Sequence, residues 1–86
     1  MAKYDLVFRP SVWKDLEPIP KADVSRILKR IDLLADDPRP FGSKKLSGQE
    51  AYRIRQGNYR IVYTIEDTKL IVTLVKVGHR REVYDV

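Results

Sequence analysis

Apolar positions along this chain switch from a short strand-like block to a helical period and then to a strand period, and the switches mark out the elements. Lys3 to Arg9 is short and rich in β-branched and aromatic residues, as a strand requires, and it stops at Pro10. Ser11 to Glu17 accommodates a helical turn or two, with Val12 or Trp13 and Leu16 inward, before Pro18 and Pro20 interrupt it. A longer helix follows: Val24, Ile27, Leu28, Ile31, Leu34 and Ala35 recur at helical spacing over a polar face of Arg26, Lys29, Arg30 and Asp32. Pro20 suits its first position, Asp23 complements the positive end of its dipole, and Pro38 ends it.

Residues 38–48 hold two prolines and two glycines and read as a loop. Ala51 to Arg55, Tyr59 to Ile65 and Lys69 to Val77 then read as three antiparallel strands, joined by Gly57-Asn58 and by Glu66-Asp67-Thr68. If Gly57-Asn58 is a two-residue hairpin loop, Arg55 opposes Arg60, Arg53 lies two residues along on the same face, and Tyr52, Ile54, Ile61 and Tyr63 share the other. Leu70 to Val75 is apolar on both faces, the mark of a central strand. The predicted class is α+β: one domain over residues 1–86, with two N-terminal helices on one face of a small, mainly antiparallel twisted sheet, in the order β-α-α-β-β-β.

Charge sharpens this picture. The net +5 is concentrated: residues 39–60 carry Arg39, Lys44, Lys45, Arg53, Arg55 and Arg60 against Glu50, six minus one, while the rest balances. Like charges opposed across a sheet destabilise it, so their retention points to a polyanion, the alternative being a solvated face. The helix cations Arg26, Lys29 and Arg30 read as a solvated face, and either helix face could receive a protein partner. Tyr52, Tyr59 and Tyr63 alternate with strand period and read mainly as packing, and Trp13 reads as the anchor of the short helix. The absence of cysteine excludes disulfides and Cys-based metal or redox sites. No apolar signal core or bilayer-length run is present, so a cytoplasmic protein without membrane contact is expected.

Lys45-Leu46-Ser47-Gly48, Tyr52-Arg53-Ile54-Arg55, Gly57-Asn58-Tyr59-Arg60-Ile61-Val62-Tyr63 and Val77-Gly78-His79-Arg80-Arg81-Glu82-Val83-Tyr84, in this element order, resemble the RelE/ParE superfamily of bacterial and archaeal toxins, nearest to its RelE branch. The resemblance implies a microbial ribonuclease-type fold and a ribosome-dependent endoribonuclease that cuts messenger RNA in the decoding site. It implies no metal and no cofactor. It also implies a cognate antitoxin that wraps the toxin, in a complex that binds operator DNA through the antitoxin.

Metal-independent RNA cleavage uses the substrate's 2′-hydroxyl as nucleophile, so the protein must take one proton, assist the leaving 5′-oxygen and stabilise a phosphorane. By resemblance, Arg60 contacts the scissile phosphate, Arg80 serves the leaving group and Tyr84 stacks on or helps activate the substrate. Arg53 and Arg55 stand where the best-studied branch carries lysines. Arginine clamps phosphate but is a very poor general base. The base is then His79, the side chain whose ordinary pKa lies near neutrality, or Tyr84, or the ribosome itself. The candidate set is Arg55, Arg60, Arg80, Tyr84 and His79 for catalysis, with Arg53, Lys44, Lys45 and Arg81 on phosphates. Two other readings remain: a ParE-like inhibitor of DNA gyrase without nuclease chemistry, and an inactive RNA- or antitoxin-binding relative.

Overall fold

Proline sets the start of both helices, because its missing N–H is not needed there and its φ already suits the first turn. Pro10 stands in the first turn of α1 (Pro10–Leu16), and Pro20, with φ −54°, caps α2 (Lys21–Leu33). The computed structural model describes residues 3–79. Besides the helices it contains β1 (Asp5–Phe8), β2 (Lys44–Lys45), β3 (Tyr52–Gln56), β4 (Tyr59–Glu66) and β5 (Ile71–His79). They form a five-stranded sheet in the order β1-β5-β4-β3-β2. β1 runs parallel to β5, its helices forming the crossover that parallel strands need, and every other pairing is antiparallel.

The helical period and the strand period meet in one core. Val12 of α1 and Ile27 and Ile31 of α2 are fully buried against Ile54, Ile61, Tyr63, Leu74 and Val77, all from one face of the sheet. The two helices therefore cover the face opposite Arg53, Arg55 and Arg60, as alternation predicts. In α1 the inward residues are Val12 and Leu16. Trp13 is not the anchor: it is half exposed and stacks on Phe8, with ring centroids 4.8 Å apart. A seven-residue helix has room for one buried stripe, and Val12 fills it.

The predicted loop at 38–48 also needs correction, since Lys44 and Lys45 pair with Arg53 and Tyr52 as a short edge strand. Two residues show no period, so sequence alone has nothing to register. Paired lysines on so short an edge also discourage another chain from adding to the sheet.

A polar clasp fixes the loop leading into β2. The Tyr63 hydroxyl donates to the Pro38 carbonyl at 2.7 Å in the core, and burial pushes its pKa up to about 12. The Arg39 guanidinium grips both carboxylate oxygens of Asp67, at 3.1 and 2.9 Å, and its Nε donates to the Tyr52 hydroxyl. Tyr4 donates its hydroxyl to the same carboxylate at 2.7 Å. Arg39 first, and then Tyr4, pull the Asp67 pKa down to about 2. A carboxylate with a folded pKa below its unfolded value adds stability above the unfolded value, and loses it as pH falls through the folded one. The clasp should therefore contribute fully above about pH 4 and fade towards pH 2. Asp67 is half exposed, so salt will weaken it. Urea midpoints measured from pH 5 to 2 should fall more steeply for the wild type than for Asp67→Asn, the gap closing at the acid end; parallel curves would show that the clasp is energetically silent.

Candidate nucleic-acid interface

The arginine face is built by one turn. Gly57 has φ +60° while Asn58 has no positive φ, so the loop is of type II′, whose twist matches the strands it joins. That turn sets Arg55 opposite Arg60 and Arg53 opposite Val62, and the neighbouring ladder sets Lys44 opposite Arg53. Lys44, Arg53, Arg55 and Arg60 consequently occupy one face, away from the helices. They differ in presentation. Lys44 and Arg55 are exposed and Arg60 is partly buried, whereas Arg53 is only 6% exposed. Its cross-strand neighbour Val62 joins Leu46, Ala51 and Val75 in a small second apolar cluster on this face. Arg53 is thus set into the floor, and Arg55, Arg60 and Lys44 form its rim.

Two cations of the basic stretch leave this face. Arg39 is committed to Asp67. Lys45, opposite Tyr52 in the ladder, forms an exposed ion pair with Glu50 at 3.4 Å, a contact of little energetic weight that a phosphate could displace.

His79 lies on the other side. It stands opposite Tyr59, whose ring packs against the main core, and the two rings meet edge to face at 5.9 Å. Both border a small cavity at the end of α1, lined also by Lys14, Asp15, Lys76 and Val77. There the Asp15 carboxylate accepts the Val77 N–H at 3.0 Å and lies 4.0 Å from the Lys76 ammonium. The cause is a bulge opposite Val62/Tyr63: Val72 and Leu74 face the core, one residue is gained, and Val77 faces the core again. Without that extra residue, alternation from Leu74 would aim His79 at the arginines. Arg80, Arg81 and Tyr84 lie outside the described residues.

Two features escape the sequence reading. Phe41 is fully exposed in the loop before β2. Trp13, Leu16, Ile19 and Val24 line an apolar groove between the helices. The only advance signal for Phe41 is its place between Pro40 and Gly42. Among the described residues no cluster of three His, Cys, Asp or Glu side chains could hold a metal ion, and no helix is long and apolar enough to cross a membrane.

Known proteins resemble this chain in sequence and in fold. The model of the family described as the ParE toxin of the parDE type II toxin-antitoxin system matches residues 6–84. A chain of Escherichia coli described as a RelE-like toxin protein is 32% identical over 89 residues, covering 98% of this chain and 93% of that one. A chain of Methanocaldococcus jannaschii described as a RelE toxin is 29% identical over 95% of this chain and 96% of its own length. Among solved structures, the archaeal RelE–RelB complex of Pyrococcus horikoshii superposes with a TM-score of 0.81 at 30% identity, covering 96% of this chain and 100% of that one.

Proposed function

Because the chain belongs to the ParE toxin family of type II toxin-antitoxin systems, within the RelE/ParE superfamily and with RelE-named relatives, we propose that it is an endoribonuclease that cuts messenger RNA on the ribosome. The observation that carries this reading is the register that gathers Lys44, Arg53, Arg55 and Arg60 on one helix-free face. A protein that only binds apolar surfaces has no use for opposed arginines. Arg55 and Arg60 hold the phosphate and stabilise the charge that builds on its oxygens. The 2′-oxygen forms a new bond to phosphorus, the bond to the 5′-oxygen breaks, and Arg80 stabilises that departing oxygen. The departing 5′-oxygen takes a proton from water, so the products are a 2′,3′-cyclic phosphate and a 5′-hydroxyl. The 2′-proton goes to Tyr84 or to a ribosomal group, since His79 shares a face with Tyr59 and the helices. Lys44 and Arg81 add salt-sensitive attraction to RNA phosphates, and Lys45 does so once released from Glu50.

A cognate antitoxin is the second partner proposed, as RelB is for RelE in the Pyrococcus horikoshii complex. An acidic segment laid over the arginine face would block RNA directly. The complex would reach operator DNA through that antitoxin.

Primer extension on a message from programmed ribosomes tests activity, ribosome dependence and cut position together. Cleavage is expected with ribosomes and little or none on free RNA. The combined substitution Arg80→Ala with Tyr84→Ala should abolish growth arrest on expression while antitoxin binding persists; a fully toxic double variant removes the nuclease reading. The matching family model is that of the ParE toxin, so the ParE-like reading, inhibition of DNA gyrase without nuclease chemistry, is the other outcome tested. Gyrase-dependent DNA damage with intact messages would identify it.

A further inference from the structure

Phe41 has no place in the chemistry above, and its presentation is unusual. The ring is fully exposed, at 102% of its reference area. Burying a phenylalanine ring normally stabilises a fold, a gain this residue forgoes. Single exposed apolar side chains are ordinary on protein surfaces. Here, however, the backbone under the ring is fastened on both sides. Ser43 donates its N–H to the Pro40 carbonyl at 2.9 Å and Gly42 has φ +93°, which makes residues 40–43 a type II turn with Phe41 at its second position. On the N-terminal side, the Tyr63 hydroxyl holds the Pro38 carbonyl and Asp67 holds Arg39. On the C-terminal side, Lys44 is paired with Arg53. The aromatic ring is therefore held out into solvent by an anchored turn.

What surrounds the ring selects its partner. Lys44 and Lys45 follow it three and four residues along the chain, just past the turn, both exposed, and Lys44 belongs to the same face as Arg55 and Arg60. An exposed apolar ring one turn before exposed cations matches a chain that alternates flat bases with phosphates. An unpaired RNA base offers a free face for stacking, which a base inside a duplex does not. We propose that Phe41 is a stacking platform for an unpaired RNA base at the rim of the arginine face, with the adjoining phosphate on Lys44. The ring presents no hydrogen-bonding group, so the contact tolerates any base and serves to hold the strand on course towards Arg55 and Arg60. This inference rests on the RNA reading of the preceding section.

Fluorescence anisotropy with a labelled ten-nucleotide oligoadenylate, and with an abasic oligonucleotide of the same length, tests it. Phe41→Ala should bind oligoadenylate about tenfold more weakly than wild type, Phe41→Trp should bind as well as wild type, and all three should bind the abasic strand alike. Phe41→Ala should leave the salt dependence unchanged, while Lys44→Ala should flatten it by about one phosphate contact. Melting temperatures should coincide, because the ring touches no core. If Phe41→Ala binds oligoadenylate like wild type while Arg55→Ala binds it weakly, the platform is refuted and the RNA reading stands. If the wild-type protein binds neither strand, the platform is refuted, and primer extension on programmed ribosomes decides the RNA reading by itself. If Phe41→Ala weakens only the complex with the cognate antitoxin, the ring is a protein contact and the inference is overturned.

Discussion

Arg60→Ala should slow single-turnover cleavage on programmed ribosomes by about a hundredfold while changing folding stability by less than about 1 kcal/mol. The rate follows from what a fixed cationic donor supplies to a phosphorane: removing one preorganised donor from a developing oxyanion typically costs about a hundred- to a thousandfold. Arg60 is placed for that role by β4, which has β5 on one side and β3 on the other, so its backbone is held by ladders on both edges. The small stability change follows from its setting. Arg60 opposes Arg55 across the β3–β4 ladder, and relieving a like-charge pair offsets part of any contact the side chain loses. Arg60→Lys should recover part of the rate, because the charge returns but not the planar fork that meets two phosphate oxygens at once. Primer extension under single-turnover conditions reads the first quantity and urea denaturation the second. Full activity in Arg60→Ala would remove this arginine from the chemistry.

The sequence carried the features that depend on neighbours along the chain. The Gly57-Asn58 loop predicts the Arg55–Arg60 pair, and the periods of three to four and of two predict which sides of α2, β3 and β4 meet in the core. Lost from view were the features that depend on distant pairing. β2 is too short to show alternation, and the parallel pairing of β1 with β5 joins residues more than sixty positions apart, from Asp5↔Ile71 to Phe8↔Leu74. Arg39 counts as one more basic residue until Asp67, Tyr4 and Tyr52 are found around it. His79 shows the limit most clearly. Its candidacy as a base depends on which face it occupies, and one inserted residue in β5 reverses that face without any proline or glycine at the insertion to announce it. The bulge thus sets the face that His79 occupies, which composition and spacing leave open.

Ile61→Ala provides the complementary result. Ile61 follows Arg60 on β4, is fully buried and points into the core beneath both helices. Removing its branched side chain should cost about 3 to 4 kcal/mol, the transfer term plus the cavity left in a sheet that cannot collapse freely. A domain of this size has about 5 to 10 kcal/mol in total, so the urea midpoint should fall by a third or more. Yet the side chain lies on the face away from the arginines, so cleavage by the fraction that remains folded, measured at low temperature, should stay within about threefold of wild type. Adjacent residues on one strand would then separate cleanly, one altering rate and the other stability. The reverse pattern, with Ile61→Ala inactive although folded and Arg60→Ala unimpaired, would move the chemistry through the sheet to the side where His79 meets Tyr59. That result would overturn the assignment of the arginine face while leaving the fold and its family intact.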